Sequence, residues 1–307
     1  MSKEFYIFIT FDVDQDFSLN NNNYDNREYV EFEGYKEGLP LVIDELHGKS
    51  FSVFMRADSQ INDIYGSYSY LLDGFDIPDY IVNNNGEINW HTHLYDNSDK
   101  VYSPVYDFKR TVELFERDYE NVKNIININS KILRIGECYM NNELMASISR
   151  FGVLIDSTAL PGRKRDDKDR QFDWGRTGNR FYYPSVFDYQ LPGEPSYNIL
   201  EVPMTTIKMK TNYDNKYYFR YFNLAFKTDV LFENLPEYIR NNDHLITITH
   251  PYEVLSKGDH GLISYNIKVF KDNLCRLIEM VEKNNKTPIF KKIGDLNCND
   301  TFTEQFL

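Results

Sequence analysis

Three groups of residues in this chain have types and spacing that could do chemistry. They are Asp12 and Asp14, two apart; His91 and His93, two apart; and His250, set between Thr249 and Pro251. Residues two apart on an extended strand share a face. His91-Thr92-His93 therefore presents two imidazoles side by side. Two imidazoles with a carboxylate from a neighbouring strand make a three-ligand site with one position open. That donor set suits a catalytic divalent metal, zinc first, with cobalt or nickel as alternatives. Water in the open position is acidified, and a second carboxylate can act as general base. Asp12 and Asp14 supply both carboxylates. Taken singly, each motif has an ordinary structural reading. Aspartates after a strand cap helices or form turns, and a histidine before proline packs in a loop. The functional reading depends on their meeting in space.

The elements around them make that meeting plausible on physical grounds. Phe5 to Phe11, Phe51 to Met55, Glu87 to His93, Lys131 to Ile135, Val153 to Ile155, Leu200 to Met204, Leu245 to Thr249 and Pro288 to Ile293 read as strands. Between them, Leu39 to Leu46, Phe108 to Ile128, Glu143 to Ser149, Val230 to Ile239 and Ile267 to Val281 carry helical spacing. Short helices are expected at Tyr68 to Leu72 and Tyr80 to Val82. Such alternation predicts parallel βα units in a barrel or a doubly wound sheet. Pro161 to Pro195 is polar and rich in Gly and Pro, and reads as a long loop. The mixed-charge run Lys164 to Asp169 reads as a solvated face, and Asn20 to Asn23 as loop. No repeat or linker divides the sequence, so one domain over 1–307 is expected, with an irregular insertion around 161–195.

The polar residues fall at the ends of these strands. The first strand ends in Asp12-Val13-Asp14. The second ends in Arg56, with Asp58 beyond it. The third ends in His91-Thr92-His93. The fourth carries Arg134 near its end, with Glu137 beyond; the fifth ends in Asp156, and a late strand ends in Thr249-His250-Pro251. In a parallel barrel the C-terminal strand ends face one another at a single mouth.

Bulk properties narrow the partners. The net charge of -13 disfavours a nucleic-acid backbone or an anionic membrane surface. No stretch has the apolar length of a membrane span or the pattern of a secretory signal. Three scattered cysteines, Cys138, Cys275 and Cys298, make neither a disulfide framework nor a cysteine metal site, which fits a reducing cytoplasm. Aromatic residues reach 16%, with 24 Tyr and 22 Phe. Such abundance is common where flat rings meet sugars, although composition alone favours an ordinary aromatic core.

In order and spacing, Thr10-Phe11-Asp12-Val13-Asp14, His91-Thr92-His93, Arg134, Asp173-Trp174 and Thr249-His250-Pro251 resemble the polysaccharide deacetylases. These are carbohydrate esterases with the chitooligosaccharide-deacetylase homology domain. The resemblance spans nearly the whole chain and implies a distorted (β/α) barrel of the α/β class. It implies Asp12 as catalytic base and Asp14, His91 and a second histidine as metal ligands. Arg134 would keep the base ionised, Asp173 and Trp174 would line the groove and support that arginine, and His250 would be the general acid. Two departures stand out. The family's second histidine position is Tyr95 here, and His93 is the candidate for the second histidine ligand. The proline-tyrosine-glycine after the third-motif arginine becomes Ile135-Gly136-Glu137-Cys138. Cys138 then falls near the site, where a small apolar filler is its ordinary role.

The expected activity is removal of an N-acyl group, acetyl first, from an amino sugar or polysaccharide precursor. Asp12 would deprotonate water, and His250, kept protonated by a carboxylate such as Asp156, would protonate the leaving nitrogen. Arg56 and Tyr95 are expected to contact substrate. The rival readings are a related hydrolase of formamides or ureides, a non-catalytic carbohydrate-binding homologue, and a glycosyltransferase using Asp12-Val13-Asp14. The last leaves all three histidines unexplained.

Overall fold

The computed structural model describes residues 3–16, 31–98, 101–167, 170–212, 214–227, 229–255 and 266–296. Asn20 to Asn23 and Cys298 lie outside the described residues, as do two residues of the Lys164 to Asp169 run.

Eight parallel strands form the central sheet. They are β1 (Lys3–Val13), β2 (Phe51–Arg56), β3 (Gly86–Thr92), β4 (Asn129–Ile135), β5 (Ile155–Asp156), β6 (Leu200–Glu201), β7 (His244–Ile246) and β8 (Lys286–Phe290). Their order is β6-β5-β4-β3-β2-β1-β7, with β8 also paired to β1. β1 is long enough to serve two neighbours in turn. Lys3–Ile7 pairs with β8, and Ile9–Val13 pairs with β2. This splay curls and distorts the sheet. On the far edge, Thr205 N–H donates to the Ile246 carbonyl at 3.2 Å, and Ile246 N–H donates to Thr205 Oγ1 at 2.9 Å. The chain after β6 is thereby tied to β7. The result is the distorted α/β half-barrel that the alternation of elements predicts.

The two-residue period of β1 sorts its side chains. Phe5, Ile7, Ile9, Phe11 and Val13 face outward into a cluster with Leu39, Val42, Leu235, Phe270 and Leu277. These come from the helices α1 (Leu39–Leu46), α4 (Val230–Asn241) and α5 (Ile267–Lys283). Tyr6 and Phe8 point inward, with Phe54, Ile132, Ile155, Leu200 and Ile246. Thr10 and Asp12 continue that inward face and are buried. The barrel is thus apolar at its base and polar towards its mouth. On the far side, α2 (Phe108–Val122) and α3 (Asn142–Arg150) pack Leu114, Phe115, Leu144 and Ile148 around Trp90. Asp107 and Asn141 cap these two helices by accepting from Arg110 N–H and Leu144 N–H.

Several boundaries differ from the sequence reading. α2 stops at Val122, and Asn127 beyond it is left-handed, at φ 72°. β6 pairs over only two residues because Pro203 lacks an N–H for the ladder. Within the segment around 161–195, two antiparallel hairpins form, Lys164–Asp166 with Gln171–Asp173 and Pro184–Ser185 with Asp188–Pro192. Two more hairpins, Tyr95–Ser98 with Val101–Pro104 and Thr206–Met209 with Tyr218–Tyr221, went unread. Strands of two to five residues are too short for a two-residue period to register.

One helix–turn contact bears directly on the mouth. The stretch Gly34–Gly38 leads into α1 and crosses the turn Pro251–Val254, which follows His250. A Cβ on Gly34 would strike the backbone N and Cα of Tyr252, and one on Gly38 would strike the Pro251 carbonyl. Backbone cannot swing aside as a flexible side chain can. Gly34→Ala is expected to lower unfolding free energy by about 1–3 kcal/mol, read from urea denaturation. An unchanged midpoint would show that the contact is not tight.

Candidate metal centre

At the mouth, Asp14 follows β1, His91 ends the inward series of β3, and His93 follows that strand. The Asp14 Oδ1 lies 2.8 Å from His93 Nε2 and 3.3 Å from His91 Nε2. The two Nε2 atoms are 3.1 Å apart. These three side chains are the group of potential metal ligands found among the described residues. Nitrogen and oxygen donors bind zinc at about 2.0–2.2 Å, and donors sharing an ion at that range stand roughly 3 Å from one another. The residues present therefore fit a divalent ion. His91 Nδ1 lies 2.8 Å from the Arg134 carbonyl. Donating there leaves Nε2 with its lone pair towards the cluster.

Charge is distributed unevenly in the cluster. Burial opposes ionisation of Asp14, but the imidazoles of His93 and His91 hold its carboxyl well below the usual range. Burial alone would lower both histidines. Asp14 overrides it at His91, whose pKa is raised. At His93 burial prevails, helped by the Arg56 charge and by His91, and the pKa is lowered.

Asp12 lies outside the donor set. Its Oδ1 takes Arg134 Nη1 at 2.5 Å. The same Nη1 donates to Thr10 Oγ1 at 2.9 Å, while Nε and Nη2 donate to the Ser157 carbonyl and Oγ, both at 2.9 Å. The guanidinium lies 3.9 Å from the Phe54 ring centroid. Every arm of this buried cation is thus met from within the barrel.

His250 approaches from the other side, its Nε2 3.5 Å from Asp14 Oδ2. Its Nδ1 lies 3.3 Å from Glu253 Oε1. Glu253 is buried, and its Oε2 accepts from the His250 N–H at 2.9 Å and from Asn223 Nδ2 at 2.8 Å. Burial would lower the imidazole's pKa, but Glu253, then Asp14 and Asp12, push it up to about 9. That shift favours the charged imidazolium at neutral pH.

The structure thus brings together Asp12, Asp14, His91, His93, Arg134 and His250. Four other candidates are engaged within the chain. The Arg56 side chain is fully buried, with Nε 2.7 Å from Asp58 Oδ2 and bonds to Gln60 and Gln15. The pair is structural, since Asp58 also takes the His93 and Ile61 N–H groups at 3.1 and 3.0 Å. Asp173 does not support Arg134; it pairs with Lys164 at 2.7 Å on the surface. Trp174 is wholly buried, donating Nε1 to the Cys138 carbonyl at 2.8 Å. Asp156 does not hold His250. It sits opposite Glu201 in the β5–β6 register and accepts from Thr158 Oγ1 at 2.6 Å. Burial pushes Asp156 up to about 6 and Glu201 well above the carboxylate range. Tyr95 packs edge-to-face on His93. The Cys138 thiol, pushed up to about 11 by burial, is protonated, which agrees with a filler role.

Glu253 was missed, although a signal existed. An acid three residues after His250, with proline between, is the pattern of a capping box.

Comparison with known proteins adds the fold. No family model matches the sequence, and no curated protein matches it. Among solved structures, a Mycobacterium smegmatis protein provisionally described as a polysaccharide deacetylase superposes with TM-score 0.55 at 14% identity. The match covers 100% of this chain and 91% of that one. A Parabacteroides distasonis protein, provisionally described as a glycoside hydrolase/deacetylase, superposes with TM-score 0.58 at 9% identity, over 96% and 70% of the two chains. Likeness at such identities establishes the shared barrel fold. No helix among the described residues is long and apolar enough to cross a membrane.

Beneath the two histidines lies a buried acid with a measurable signature. Asp118 of α2 accepts from Ser59 Oγ and N–H, and from Thr92 Oγ1 at 3.5 Å. Burial first, then the Asp58 charge, pushes its carboxyl up to about 7. A carboxyl raised in the folded state stabilises fully below its unfolded pKa, about 3.9. That contribution is lost as pH rises through about 7. Between about pH 4 and pH 8 the parent should lose on the order of 2–4 kcal/mol more unfolding free energy than Asp118→Asn. Urea titrations across that range measure the difference, and parallel profiles would show that Asp118 ionises normally.

Proposed function

We propose that this chain is a metal-dependent hydrolase that removes an N-acyl group, acetyl first, from an amino sugar or polysaccharide precursor. The observation that carries the reading is one cluster holding three metal donors, a carboxylate outside that donor set and a cationic histidine. Asp14, His91 and His93 would hold the ion, with zinc the first choice and cobalt or nickel alternatives. A divalent ion there supplies Lewis acidity, which lowers the pKa of water and polarises an acyl carbonyl.

The chain's own groups carry the protons. Asp12 accepts the proton of the attacking water. Arg134 sets the orientation of that carboxylate and, bonded to Thr10 and Ser157, cannot follow the proton. His250 reaches the site charged and gives its proton to the departing nitrogen, which leaves as a neutral amine. Glu253 stabilises the imidazolium and keeps its Nε2 side towards the centre. The hydrolase reading is favoured over a glycosyltransferase because it gives all three histidines work. The amino-sugar substrate is supported by the resemblance in motif order and by a barrel shared with proteins described as deacetylases. A cytoplasmic location, proposed from the scattered cysteines, would make a sugar precursor the substrate.

Metal analysis and amide hydrolysis test this together. The parent should carry close to one divalent ion per chain, and His91→Ala and His93→Ala should lose it. With zinc or cobalt added, the parent should release acetate from N-acetylated amino sugars. Asp12→Asn should keep the metal and lose about 10²–10⁴-fold in kcat. Metal-loaded parent that leaves every acetylated amino sugar intact would overturn the substrate assignment, and a parent that takes up no metal would overturn the mechanism.

A further inference from the structure

Among the described residues, His93 lacks the hydrogen bond that ordinarily orients a ligating histidine. A metal-binding imidazole usually donates its second ring N–H to a carbonyl or carboxylate. His91 has such a partner in the Arg134 carbonyl. The Nδ1 of His93 is buried and has none among the described residues. Something other than a hydrogen bond at that atom must fix the ring.

Two surfaces grip it. On one side is the Tyr95 ring, its centroid 4.9 Å from that of His93 and its plane at 77°. On the other is Gly136, where any Cβ would collide with the His93 imidazole. Neither surface is self-supporting. Gly136 opens a turn whose next residues, Glu137 and Cys138, stand at φ 57° and 55°. Each is a left-handed conformation that costs a non-glycine residue about 1 kcal/mol or more. Two in succession persist only where their surroundings hold them. Glu137 is held twice: Oε1 accepts from the Tyr95 hydroxyl at 2.8 Å, and Oε2 lies 2.6 Å from Arg170 Nε. Arg170 immediately precedes the second strand of the Lys164–Asp173 hairpin. At the end of the turn, Trp174 Nε1 holds the Cys138 carbonyl.

We propose that Tyr95, Glu137 and Arg170 are positioning residues that fix the His93 imidazole as a metal ligand, replacing the absent bond at Nδ1. They also couple the Lys164–Asp173 hairpin to the metal centre. The inference rests on the metal-site reading above. Where the resembling family places a histidine, this chain places a phenol that steadies the histidine two residues earlier. Its hydroxyl locks the opposite wall through one shared carboxylate.

Cobalt titration of the full chain tests this, with affinity taken from competition against a chelator and ligand geometry from the visible absorption spectrum. Arg170→Ala and Glu137→Gln should each raise the cobalt Kd about 10–100-fold and alter the spectrum. Tyr95→Phe keeps the ring and loses the hydroxyl, so it should shift both readouts in the same direction by less. Arg170→Lys retains a cation for Glu137 and should stay close to the parent. Circular dichroism verifies folding; if Arg170→Ala fails to fold, Tyr95→Phe decides. Variants that bind cobalt with parent-like affinity and spectrum overturn the proposal, even if their melting temperatures fall. A parent that binds no cobalt overturns the metal-site reading, and this inference with it.

Discussion

The ion pair between Asp12 and Arg134 is the constraint around which the barrel is organised. β1 and β4 are separated in the sheet by β2 and β3. In a flat sheet three strand spacings of about 4.8 Å would hold them roughly 14 Å apart. Their side chains meet at 2.5 Å, so the bond spans the interior of a curled sheet. Desolvating two such charges costs several kcal/mol per ion, and their attraction compensates only when the remaining donors are also met. Thr10, Ser157 and the Phe54 ring meet them, from β1, from the end of β5 and from β2. Curvature and pair are therefore one requirement. A flatter sheet would strand the guanidinium, and an apolar residue at 134 would leave a buried carboxylate unmatched.

The same burial acts on three histidines, and their neighbours shift them in different directions. All are shielded from water, and burial alone would keep each neutral. Asp14 raises His91, the balance at His93 falls the other way, and Glu253 makes His250 a cation. An imidazole that offers a lone pair can ligate; one that carries a charge can donate a proton. The contrast between His93 and His250 comes from placement of carboxylates, with Glu253 reserved for His250 by its bonds to the chain; at His91 the Asp14 carboxylate that draws a proton would equally draw a metal ion in its place.

How far the site was legible follows from how each residue is placed. Asp12, Asp14, His91, His93, Arg134 and His250 lie on or just past strands. Parallel strands bring their ends to one mouth whatever the loops do, so order along the chain was enough to gather them. Arg56 also ends a strand, but it is bonded within the wall, and no local pattern separates a strand-end arginine that faces the mouth from one paired to Asp58. Asp173, Trp174 and Arg170 sit in a hairpin whose strands of three residues are too short to show a period. Their contacts depend on how that hairpin docks, which the chain's local preferences do not encode. Asp156 and Glu201 reveal themselves only in the register of two adjacent strands.

On the proposed reading, the departure at Tyr95 is a change in support rather than a lost ligand. Three donors with an open position require only two histidines and a carboxylate. His-x-His on an extended segment delivers both imidazoles to one face, but it brings His93 beyond the last paired residue of β3, Thr92. Past the end of a strand the backbone no longer dictates where a side chain points, so the ring needs walls. The Gly136 turn supplies one and Tyr95 the other. Such walls need backbone shape and packing more than particular ligand types, which is compatible with a barrel shared at 9–14% identity. A common fold does not transfer a function by itself. In this chain the functional reading stands on the donors and on the groups that hold them still.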